Sequence, residues 1–256
     1  MTKPSVSACI VTYRCYDKCR IAIRSLLDNT LRVNLTVYIV DNNSGDGALD
    51  KLKAEFPEII CIQNSDNKGF GHGHNTVLPL LKSDFHSIVN PDITLDSDTV
   101  SDLVEYLLSH PDVGQVTPKI LFPDGRDQQL GKRNPSFLAL VGRHIFKKRL
   151  APIVEHYQML DEDLTKPVDI EFATGCFSVV RTELFKQLGG FDERWFMYFE
   201  DMDLTRRVRG SARAVYLPDF CVYHAWERSS SHHLKFFIIL VTGMFKYFGK
   251  WGFQLR

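Results

Sequence analysis

The sequence predicts an α/β fold in which a parallel sheet lies between layers of helices. Two compact runs rich in β-branched residues, 6–12 and 35–40, are typical of strands buried on both faces of such a sheet. Between them, apolar residues recur at the spacing of one helix face: Cys19, Ala22, Ile23, Leu26 and Leu27. Because alternating strands and helices form βαβ units, we expect the carboxyl ends of the strands, where ligands bind, to share one edge.

The same alternation continues to about residue 122. Residues 59–62 and 87–89 predict further strands, and a second helix face consists of Val100, Leu103, Val104, Leu107 and Leu108. Residues 123–168 are rich in Pro, Gly and charge, and we interpret them as a long, partly mobile insertion rather than a second domain. Regular structure is expected to return at Val168, with a short helix over 182–188 before Gly189 and Gly190.

Composition excludes several classes of protein. The 256 residues contain 31 Lys and Arg against 31 Asp and Glu, and this zero net charge argues against a protein that coats nucleic acid. The six cysteines lack CxxC and zinc-ribbon spacing, and the first residues show no signal-peptide pattern. The longest apolar run, 236–245, is shorter than the ~18 residues of a membrane span. We therefore expect a cytoplasmic protein.

Two polar loops follow predicted strands. Asp41 ends the second strand and opens the turn Asp41-Asn-Asn-Ser-Gly-Asp46, which fits either an ordinary polar turn or a pocket in which Asp41 binds a nucleotide. Residues 67–75 contain glycines at 69, 71 and 73, which permit close approach of a ligand to the backbone. Neither Walker A nor GxGxxG spacing is present, so this loop by itself is weak evidence.

Two further polar residues follow later strands. Asp92, in Asn90-Pro91-Asp92, places a carboxylate just after the strand that ends at Val89, where it could bind a hard cation beside a diphosphate. The tripeptide by itself favours a helix-entry turn. His224 is a lone histidine after a strand-like run that ends near residues 217–218. Most such histidines are core or surface residues, and a metal role needs a partner.

Residues 189–207 hold the densest group of acidic and aromatic side chains. Glu200, Asp201 and Asp203 begin a predicted helix, where carboxylates interact favourably with the helix dipole, and Asp203 can form a surface ion pair one turn along the helix. Because adjacent residues of a helix point ~100° apart, Glu200 and Asp201 cannot both act as the general base. Asp201 shares the apolar face beneath the aromatic residues of 195–199, which makes it the better candidate for a general base.

Taken together, and in their order along the chain, these motifs resemble those of family-2 glycosyltransferases with the GT-A fold, especially the rhamnosyltransferase-like branch of bacterial polysaccharide synthesis. The resemblance covers nearly the whole chain, through residues 6–13, 40–44, 67–75, 90–92, 173–176, 190–204 and His224. It implies a Rossmann-like, mostly parallel central sheet in a single domain over 1–230, with an amphipathic helical segment over 231–256. Within that domain, 1–122 would bind the nucleotide sugar, 123–168 would form an acceptor region, and 169–230 would complete the acceptor side and carry the base.

The resemblance also implies roles for individual residues. The nucleotide-binding set comprises Thr12, Asp41, Asn43, Asn67, Gly69, Asn75 and Asn90. Asp92 and His224 would bind Mg²⁺ or Mn²⁺ against the diphosphate, with Asn90 in place of the first acid of the DxD motif. Asp201 matches the catalytic base. The acceptor-side candidates are Gly175, Trp195, Tyr198 and Glu200.

The implied activity is inverting, metal-dependent sugar transfer. The favoured donor is dTDP-β-L-rhamnose, and the favoured acceptor is a hydroxyl of an undecaprenyl-diphosphate-linked or oligosaccharide substrate, as in O-antigen synthesis for lipopolysaccharide. A UDP-hexose donor, or an inactive homologue that only binds a sugar nucleotide, is the alternative. A nucleotidyltransferase is disfavoured because residues 11–17 contain no glycine for a triphosphate loop, and the missing QxxRW motif disfavours processive synthases.

The C-terminal segment allows two interpretations. Residues 236–253 mix Phe, Ile, Leu and Trp with lysines, a composition that fits either a helix packed on the domain or an interfacial helix at a bilayer. We expect peripheral association with the inner face of the bacterial cytoplasmic membrane. The basic cluster Lys147-Lys148-Arg149 could face the same anionic lipid.

Overall fold

A computed structural model describes residues 3–130, 132–142, 147–225 and 234–255. Within these ranges, one nine-stranded sheet has the order β3-β2-β1-β4-β8-β6-β9-β5, and β7 pairs with β9. The strands are β1 (Ser5–Thr12), β2 (Asn34–Asp41), β3 (Ile60–Gln63), β4 (Phe85–Val89), β5 (Ile93–Thr94), β6 (Val113–Leu121), β7 (Val168–Asp169), β8 (Phe177–Arg181) and β9 (Arg213–His224).

Helices cover both faces of the sheet. They are α1 (Tyr16–Asn29), α2 (Ala48–Glu55), α3 (Phe70–Asn75), α4 (Thr99–Ser109), α5 (Phe137–Gly142), α6 (Lys147–Tyr157), α7 (Thr182–Gln187), α8 (Glu200–Val208) and α9 (Leu234–Trp251), with a short 3₁₀ turn at Leu78–Leu80. The strands and helices predicted from periodicity are therefore confirmed, including the short helix after Arg181. One expectation is wrong: β9 runs to His224 and does not end near residues 217–218.

The predicted parallel sheet lies in the amino-terminal half. β1 pairs in parallel with β2 and β4, and β2 pairs in parallel with β3. Alternate β1 residues face opposite clusters: Ile10 packs in the cluster that contains α1 and α4 residues, and Val11 packs in the cluster that contains α8 residues. Burial on both faces explains why this strand is a continuous apolar run.

Strand β8 reverses the direction of the chain at the centre of the sheet. It pairs antiparallel with β4 and with β6, and β6 pairs in parallel with β9. Because of this reversal, the residues just before β8 lie at the edge where β4 and β6 end. Six strands, β1 to β4, β6 and β9, share one direction, so the expected mostly parallel α/β fold is confirmed.

The segment 123–168 contains two helices, α5 and α6, which the sequence did not predict. Gly142 at the end of α5 lies against Leu150 of α6, where an added Cβ would be 2.8 Å from the leucine Cβ. Ala139 and Tyr157 pack with Phe172, far along the chain. These helices are stabilised by contacts between distant residues, which composition does not reveal.

The C-terminal segment forms the predicted helix. Residues 231–233 of that segment lie outside the described residues, and α9 begins at Leu234. Tyr247 and Phe248 are buried against Trp195 and Phe199, so one face of α9 packs on the domain. Across the described ranges, no helix combines the length and apolar character that a bilayer crossing requires.

Candidate active site

The loops after β2 and β3 (residues 41–46 and 64–75, hereafter the β2/β3 loops) hold most of the predicted nucleotide-binding residues. Asp41 is buried at the end of β2, where its carboxylate accepts hydrogen bonds from the Ser44 hydroxyl, from Ser44 N–H (3.0 Å) and from the Gln63 side chain (2.8 Å). Thr12 is its partner in β1, and the Thr12 hydroxyl lies 3.1 Å from Cys15 Sγ. The Asp41 carboxylate is therefore held in one orientation by neighbouring polar groups.

Gly69 directly precedes α3. Its backbone has φ of 103°, a conformation that favours glycine. A Cβ at this position would lie 1.9 Å from the Phe196 carbonyl oxygen, which accepts a hydrogen bond from Phe70 N–H at 2.9 Å. The Gly69 carbonyl accepts from the Asn42 side chain, and Gly69 N–H donates to Asn67 Oδ1. The backbone here lies in direct contact with the loop before α8, so this glycine is required by close packing.

Two predicted asparagines have structural partners in the fold. Asn43, with φ of 63°, donates to the Ser65 carbonyl at 3.0 Å and so joins the two β2/β3 loops. Asn75 donates to the Phe191 carbonyl and to Glu193, and its Oδ1 accepts from Phe191 N–H, all at 2.8 Å. Asn75 therefore ties α3 to residues 190–193, and its amide is already occupied by these bonds.

Asp92 and His224 meet at the edge of the sheet. Asp92 Oδ1 lies 3.3 Å from His224 Nε2, because Ile93 in β5 pairs with His224 in β9. The Asn90 amide nitrogen lies 3.4 Å from the same histidine nitrogen. Burial favours the protonated form of Asp92, but the hydrogen bond and charge of His224, with Lys18 nearby, hold the pKa of Asp92 below its ordinary value. The residue pattern gave His224 no partner, whereas the family resemblance placed it with Asp92 at one metal site, and the two side chains do lie together.

Gln128 fixes the orientation of the His224 ring. Its Nε2 donates to the His224 carbonyl at 2.7 Å, which leaves Gln128 Oε1 facing His224 Nδ1 at 3.1 Å. An Nδ1–H donated to this oxygen leaves the Nε2 lone pair directed at Asp92, and two acceptors at that distance repel each other unless a proton or a cation lies between them. Gln128 was not predicted, because no sequence pattern links it to a histidine 96 residues later.

The Asp92–His224 pair could bind a divalent cation whose other ligands come from a substrate. Among the described residues, no group of three or more His, Cys, Asp or Glu side chains is arranged to hold a metal ion. Mg²⁺ commonly takes one or two protein ligands and completes its shell with phosphate oxygens and water. Asp92 and His224 meet that requirement, and Gln128 supplies the outer hydrogen bond that usually orients a histidine ligand.

Asp201 lies one residue inside the start of α8. Its carboxylate accepts hydrogen bonds from Gly175 N–H (2.8 Å) and from Met202 N–H (2.9 Å). Burial nevertheless raises the pKa of Asp201. A carboxylate whose pKa is moved towards neutral pH is better suited to accept a proton from a hydroxyl group. Asp201 is half-buried, so a substrate can reach it.

Glu200 differs from Asp201 in burial and in bonding. The side chain is 5% exposed, and Oε2 has no hydrogen-bond partner among the described residues. Burial, with the adjacent charge of Asp201, raises the pKa of Glu200 well above its ordinary value, which favours a neutral acid. We expected Asp201 to occupy the buried side of the helix. The structure corrects this, because Glu200 is the more buried of the two.

Asp203 is the third carboxylate of α8, and our expectation of a surface ion pair there is wrong. The side chain is fully buried, bonded to Arg207 at 2.8 Å, Lys250 at 2.6 Å and the Trp251 indole N–H at 2.8 Å. Lys250 and Trp251 belong to α9, so this carboxylate fastens the C-terminal helix to α8. Its lone pairs are used in stabilising the fold.

The segment 174–176 lies between Asp201 and the end of β4. Asn90 N–H donates to the Cys176 carbonyl at 2.8 Å, and Gly175 N–H donates to Asp201 at 2.8 Å. Two consecutive residues therefore contact Asn90, two residues before Asp92, on one side and the Asp201 carboxylate on the other. We call Asp92, Glu200, Asp201 and His224 the acidic edge.

The remaining acceptor-side candidates lie in different surroundings. Trp195 is 1% exposed and donates its indole N–H to the carbonyl of Gly243 in α9. This burial does not favour the expected contact of Trp195 with an acceptor. Tyr198 is half-buried with φ of 69° directly before α8. A Cβ on Gly175 would lie 3.1 Å from the Asp201 Cβ, so glycine permits the close approach of these two segments.

The fold is shared with solved glycosyltransferase structures. A mannosyltransferase from Pyrobaculum calidifontis, in complex with GDP-Man and Mn²⁺, has a TM-score of 0.64 and 19% identity, over 98% of this chain and 64% of that chain. GalNAc-T7 with UDP, GalNAc and Mn²⁺ has a TM-score of 0.67 and 15% identity, over 88% of this chain and 44% of that chain. The chain therefore spans less than two thirds of either protein. These likenesses show the GT-A fold.

Two curated relatives are rhamnosyltransferases. The N-acetylglucosaminyl-diphospho-decaprenol L-rhamnosyltransferase of Mycobacterium tuberculosis is 27% identical over 248 residues, covering 87% of this chain and 78% of the relative. Rhamnosyltransferase WbbL of Escherichia coli K12 is 25% identical over 237 residues, covering 89% of this chain and 88% of the relative. Residues 7–189 match the family described as Glycosyl transferase family 2. The chain is a glycosyltransferase and belongs to that family.

Proposed function

We propose that this glycosyltransferase transfers L-rhamnose from dTDP-β-L-rhamnose, with inversion, to a hydroxyl of a lipid-linked or oligosaccharide acceptor in bacterial cell-surface polysaccharide synthesis. The observation that carries the chemistry is the 174–176 segment, which contacts both Asp201 and the strand end that bears Asp92. The names of the mycobacterial and E. coli relatives support the rhamnose donor and, for the first, a diphosphate-linked lipid acceptor.

Asp201 is the general base of this proposal. The acceptor hydroxyl attacks the anomeric carbon while its proton passes to an Asp201 carboxylate oxygen, and the bond from that carbon to the nucleoside diphosphate breaks. The Gly175 and Met202 N–H groups hold the carboxylate in place. Inversion at a β-L-rhamnosyl donor gives an α-L-rhamnoside, and neither a covalent intermediate nor a second flanking carboxylate is needed.

Asp92 and His224 would hold Mg²⁺ or Mn²⁺ beside the donor diphosphate. When bound, the cation would neutralise the charge that develops on the departing nucleoside diphosphate. Gln128 keeps the His224 ring in the orientation that such binding requires. The solved mannosyltransferase and GalNAc-T7 contain Mn²⁺ together with GDP-Man and UDP respectively, which supports this assignment for a shared fold.

The β2/β3 loops would enclose the nucleotide. Asp41 and Thr12, at the ends of β2 and β1, would line the bottom of the nucleotide pocket, and the backbone around Gly69 would line one side. Because Asp41 already accepts three hydrogen bonds, we infer that it holds the loop in shape and contacts the base or ribose with the lone pairs that remain. Asn67 and Asn43 hold the backbone on either side.

A panel of sugar nucleotides tests the donor. Purified protein with Mn²⁺ or Mg²⁺ is presented with dTDP-rhamnose, UDP-hexoses and GDP-mannose, and release of the nucleoside diphosphate is measured with and without EDTA. We expect metal-dependent release from dTDP-rhamnose at a rate at least about tenfold above the others. A preference for a UDP-hexose would overturn the rhamnose assignment, and binding without turnover of any donor would favour an inactive sugar-nucleotide-binding homologue.

We also propose peripheral contact of α9 with the inner face of the cytoplasmic membrane. Phe237, Ile238 and Phe245 are more than half exposed, while the opposite face of the helix packs on the domain. Such a surface fits an interfacial helix. Phe237→Asn combined with Phe245→Asn should abolish flotation with anionic vesicles, whereas Leu160→Asn, at another exposed apolar residue, should not. Equal flotation of wild type and both variants would contradict the proposal.

A further inference from the structure

A narrow recess lies beside the acidic edge, between the end of β6 and the residues that precede β8. Its cavity volume is about 20 Å³, so it admits one small polar group, such as a single phosphate oxygen, from solvent. Thr117, Thr174, Tyr216 and Lys132 line it together with apolar side chains, and the exposed Asp127 also contributes. These residues belong to the segments 117–132 and 172–216; the family resemblance implied an acceptor role for 123–168 and 169–230 as a whole, but none for these individual side chains.

Hydrogen bonds of the Lys132 backbone fix its position beside the recess. Its N–H donates to the Tyr157 carbonyl at 3.1 Å, and its carbonyl accepts from Glu171 N–H at 2.7 Å and Phe172 N–H at 2.9 Å. The side chain is only 7% exposed. A side chain fixed in this way is positioned before any ligand arrives, which reduces the entropy lost on binding.

The Lys132 ammonium group has only neutral partners close to it. It donates to the Leu130 carbonyl at 3.3 Å and lies 4.6 Å from the centre of the Tyr216 ring. None of the carboxylates in the described ranges forms an ion pair with it. Burial lowers the pKa of Lys132, while Asp127 acts in the opposite direction at longer range. A buried charge without a counter-ion is costly, so an anion that enters the recess gains a strong interaction.

The recess is adjacent to both parts of the acidic edge. Thr174 directly precedes Gly175, whose N–H holds Asp201. Gln128, which binds His224, lies between Asp127 and Leu130 of the recess lining. The recess therefore lies next to the residues that bond Asp201 and His224, and in the strand order it is on the other side of β8 from the β2/β3 loops.

We propose that this recess binds phosphate oxygens of the acceptor, through Lys132 and the neighbouring hydroxyl groups, while the acceptor sugar presents its hydroxyl to Asp201. The proposal deepens the proposed function and rests on it, because it specifies a diphosphate-linked acceptor rather than a neutral oligosaccharide. Tyr216 and Thr174 can donate hydrogen bonds to the same oxygens, and the apolar lining excludes water from the contact.

Direct binding tests the recess without any donor. Wild type, Lys132→Met, Lys132→Gln and the control Lys119→Met are titrated in EDTA with an alkyl diphosphate of N-acetylglucosamine and with inorganic diphosphate. Lys119 is half-buried on β6 and does not line the recess, so its replacement changes the net charge equally. We expect both Lys132 variants to bind the alkyl diphosphate at least about tenfold more weakly, and Lys119→Met to bind it like wild type.

The binding result also separates the two sources of phosphate. Wild type should prefer the alkyl diphosphate to inorganic diphosphate. Equal affinity for the two would identify a site for free anions and overturn the acceptor assignment. Unchanged binding in both Lys132 variants, with folding verified by thermal denaturation, would overturn the proposal entirely.

Turnover provides a second readout. We expect the preference in kcat/KM for the alkyl diphosphate acceptor over an alkyl glycoside of the same sugar to fall at least about tenfold in Lys132→Met and to persist in Lys119→Met. A rise in donor KM without this change would place Lys132 at the donor diphosphate and contradict the proposal. If wild type transferred sugar to neither acceptor, the proposed function would fail, while the binding comparison would still decide the recess.

Discussion

The β2/β3 loops and the acidic edge both consist of polar groups at the end of the sheet, but they differ in how those groups are satisfied. Asp41, Asn43 and Asn75 have hydrogen-bond partners within the protein. At the acidic edge, Glu200 retains an oxygen without a partner among the described residues, and Asp92 Oδ1 lies 3.3 Å from His224 Nε2. Groups with satisfied bonds shape a binding surface, whereas groups held in costly surroundings are suited to react with a substrate or bind its cation.

The largest effect should follow from Asp201→Asn. The change removes the proposed proton acceptor, so we expect kcat to fall by at least about a thousandfold, since general-base catalysis contributes about 10²–10⁴-fold. Unfolding free energy should fall by no more than about 1 kcal/mol, because the amide relieves the cost of burying a charge although its NH2 group faces one of the two backbone N–H donors. In wild type, kcat/KM should fall at acid pH as Asp201, whose pKa is raised, becomes protonated.

Asp203→Asn is the matched control, the same change two residues along α8. Here the fully buried carboxylate bonds Arg207, Lys250 and Trp251, so the amide removes the charge that two part-buried cations share. We expect unfolding free energy to fall by about 3 kcal/mol, with kcat largely retained at low temperature. If instead Asp203→Asn lost turnover and Asp201→Asn lost stability, the division between these two carboxylates would be wrong.

The next largest effect concerns the cation. Asp92→Asn removes the carboxylate that we propose as a metal ligand beside His224, and we expect kcat/KM to fall at least about 100-fold and EDTA to have little further effect. Asp96→Asn, on the same segment, replaces an exposed carboxylate that bonds the Tyr223 hydroxyl and should change kcat/KM less than about twofold. Steady-state assays over a range of Mn²⁺ concentrations make this comparison. Full, EDTA-sensitive activity in Asp92→Asn would exclude it as a metal ligand.

A smaller effect is expected in the β2/β3 loops. Gly69→Ala places a Cβ against the Phe196 carbonyl at a backbone φ of 103°, so the loop must move, and we expect donor KM to rise several-fold with a stability loss of about 1–3 kcal/mol. Gly45→Ala has a φ of 69° but no atom within 4 Å of the added Cβ. It should lower stability by about 1 kcal/mol and leave donor KM unchanged. Similar donor KM values in the two variants would show that the close contact at Gly69 does not shape the site.

The smallest effect on turnover concerns two fully buried histidines, His74 and His86. Both His74 nitrogens and His86 Nε2 lack a hydrogen-bond partner among the described residues, whereas His86 Nδ1 lies 2.7 Å from the Ser7 hydroxyl. Burial lowers the pKa of His86 to about 3 and that of His74 well below 6.5. The unfolded chain takes up these protons near pH 6.5, so stability is fully present above that pH and falls as the pH drops towards 3, by up to about 1.4 kcal/mol per pH unit for each histidine.

His86→Asn should reduce that slope. Urea unfolding between pH 7 and about 4 measures it, with the part-exposed His110→Asn as the control. The slope should fall by about 1 kcal/mol per pH unit in His86→Asn only. An unchanged slope in both variants would mean that His86 takes up its proton within the folded protein.

The elements of the amino-terminal half could be predicted from the sequence because local patterns determine them. The i, i+3, i+4 spacing of Cys19, Ala22 and Ile23 is the spacing of one buried helix face, and all three are buried. The α5 and α6 helices could not be predicted in this way. Their stability depends on contacts such as Tyr157 with Phe172, which involve side chains that are distant in sequence.

The same limit applies to the site. The positions of Asp41 and Asp92 could be predicted, because both follow parallel strands whose carboxyl ends share one edge of the sheet. The sequence could not show that Asp203 would be buried by Lys250 and Trp251, since an ion pair at i, i+4 is compatible with an exposed helix face. Nor could it show that Gln128 orients His224. Both facts depend on how separate elements pack together.

Donor binding measured by calorimetry tests the central claim, that cation binding and proton removal belong to different carboxylates of the acidic edge. dTDP-β-L-rhamnose is titrated into wild type, Asp201→Asn and Asp92→Asn with and without Mn²⁺. We predict that Mn²⁺ strengthens binding equally in wild type and Asp201→Asn, and has little effect in Asp92→Asn. Loss of the Mn²⁺ effect in Asp201→Asn, or its retention in Asp92→Asn, would contradict the account.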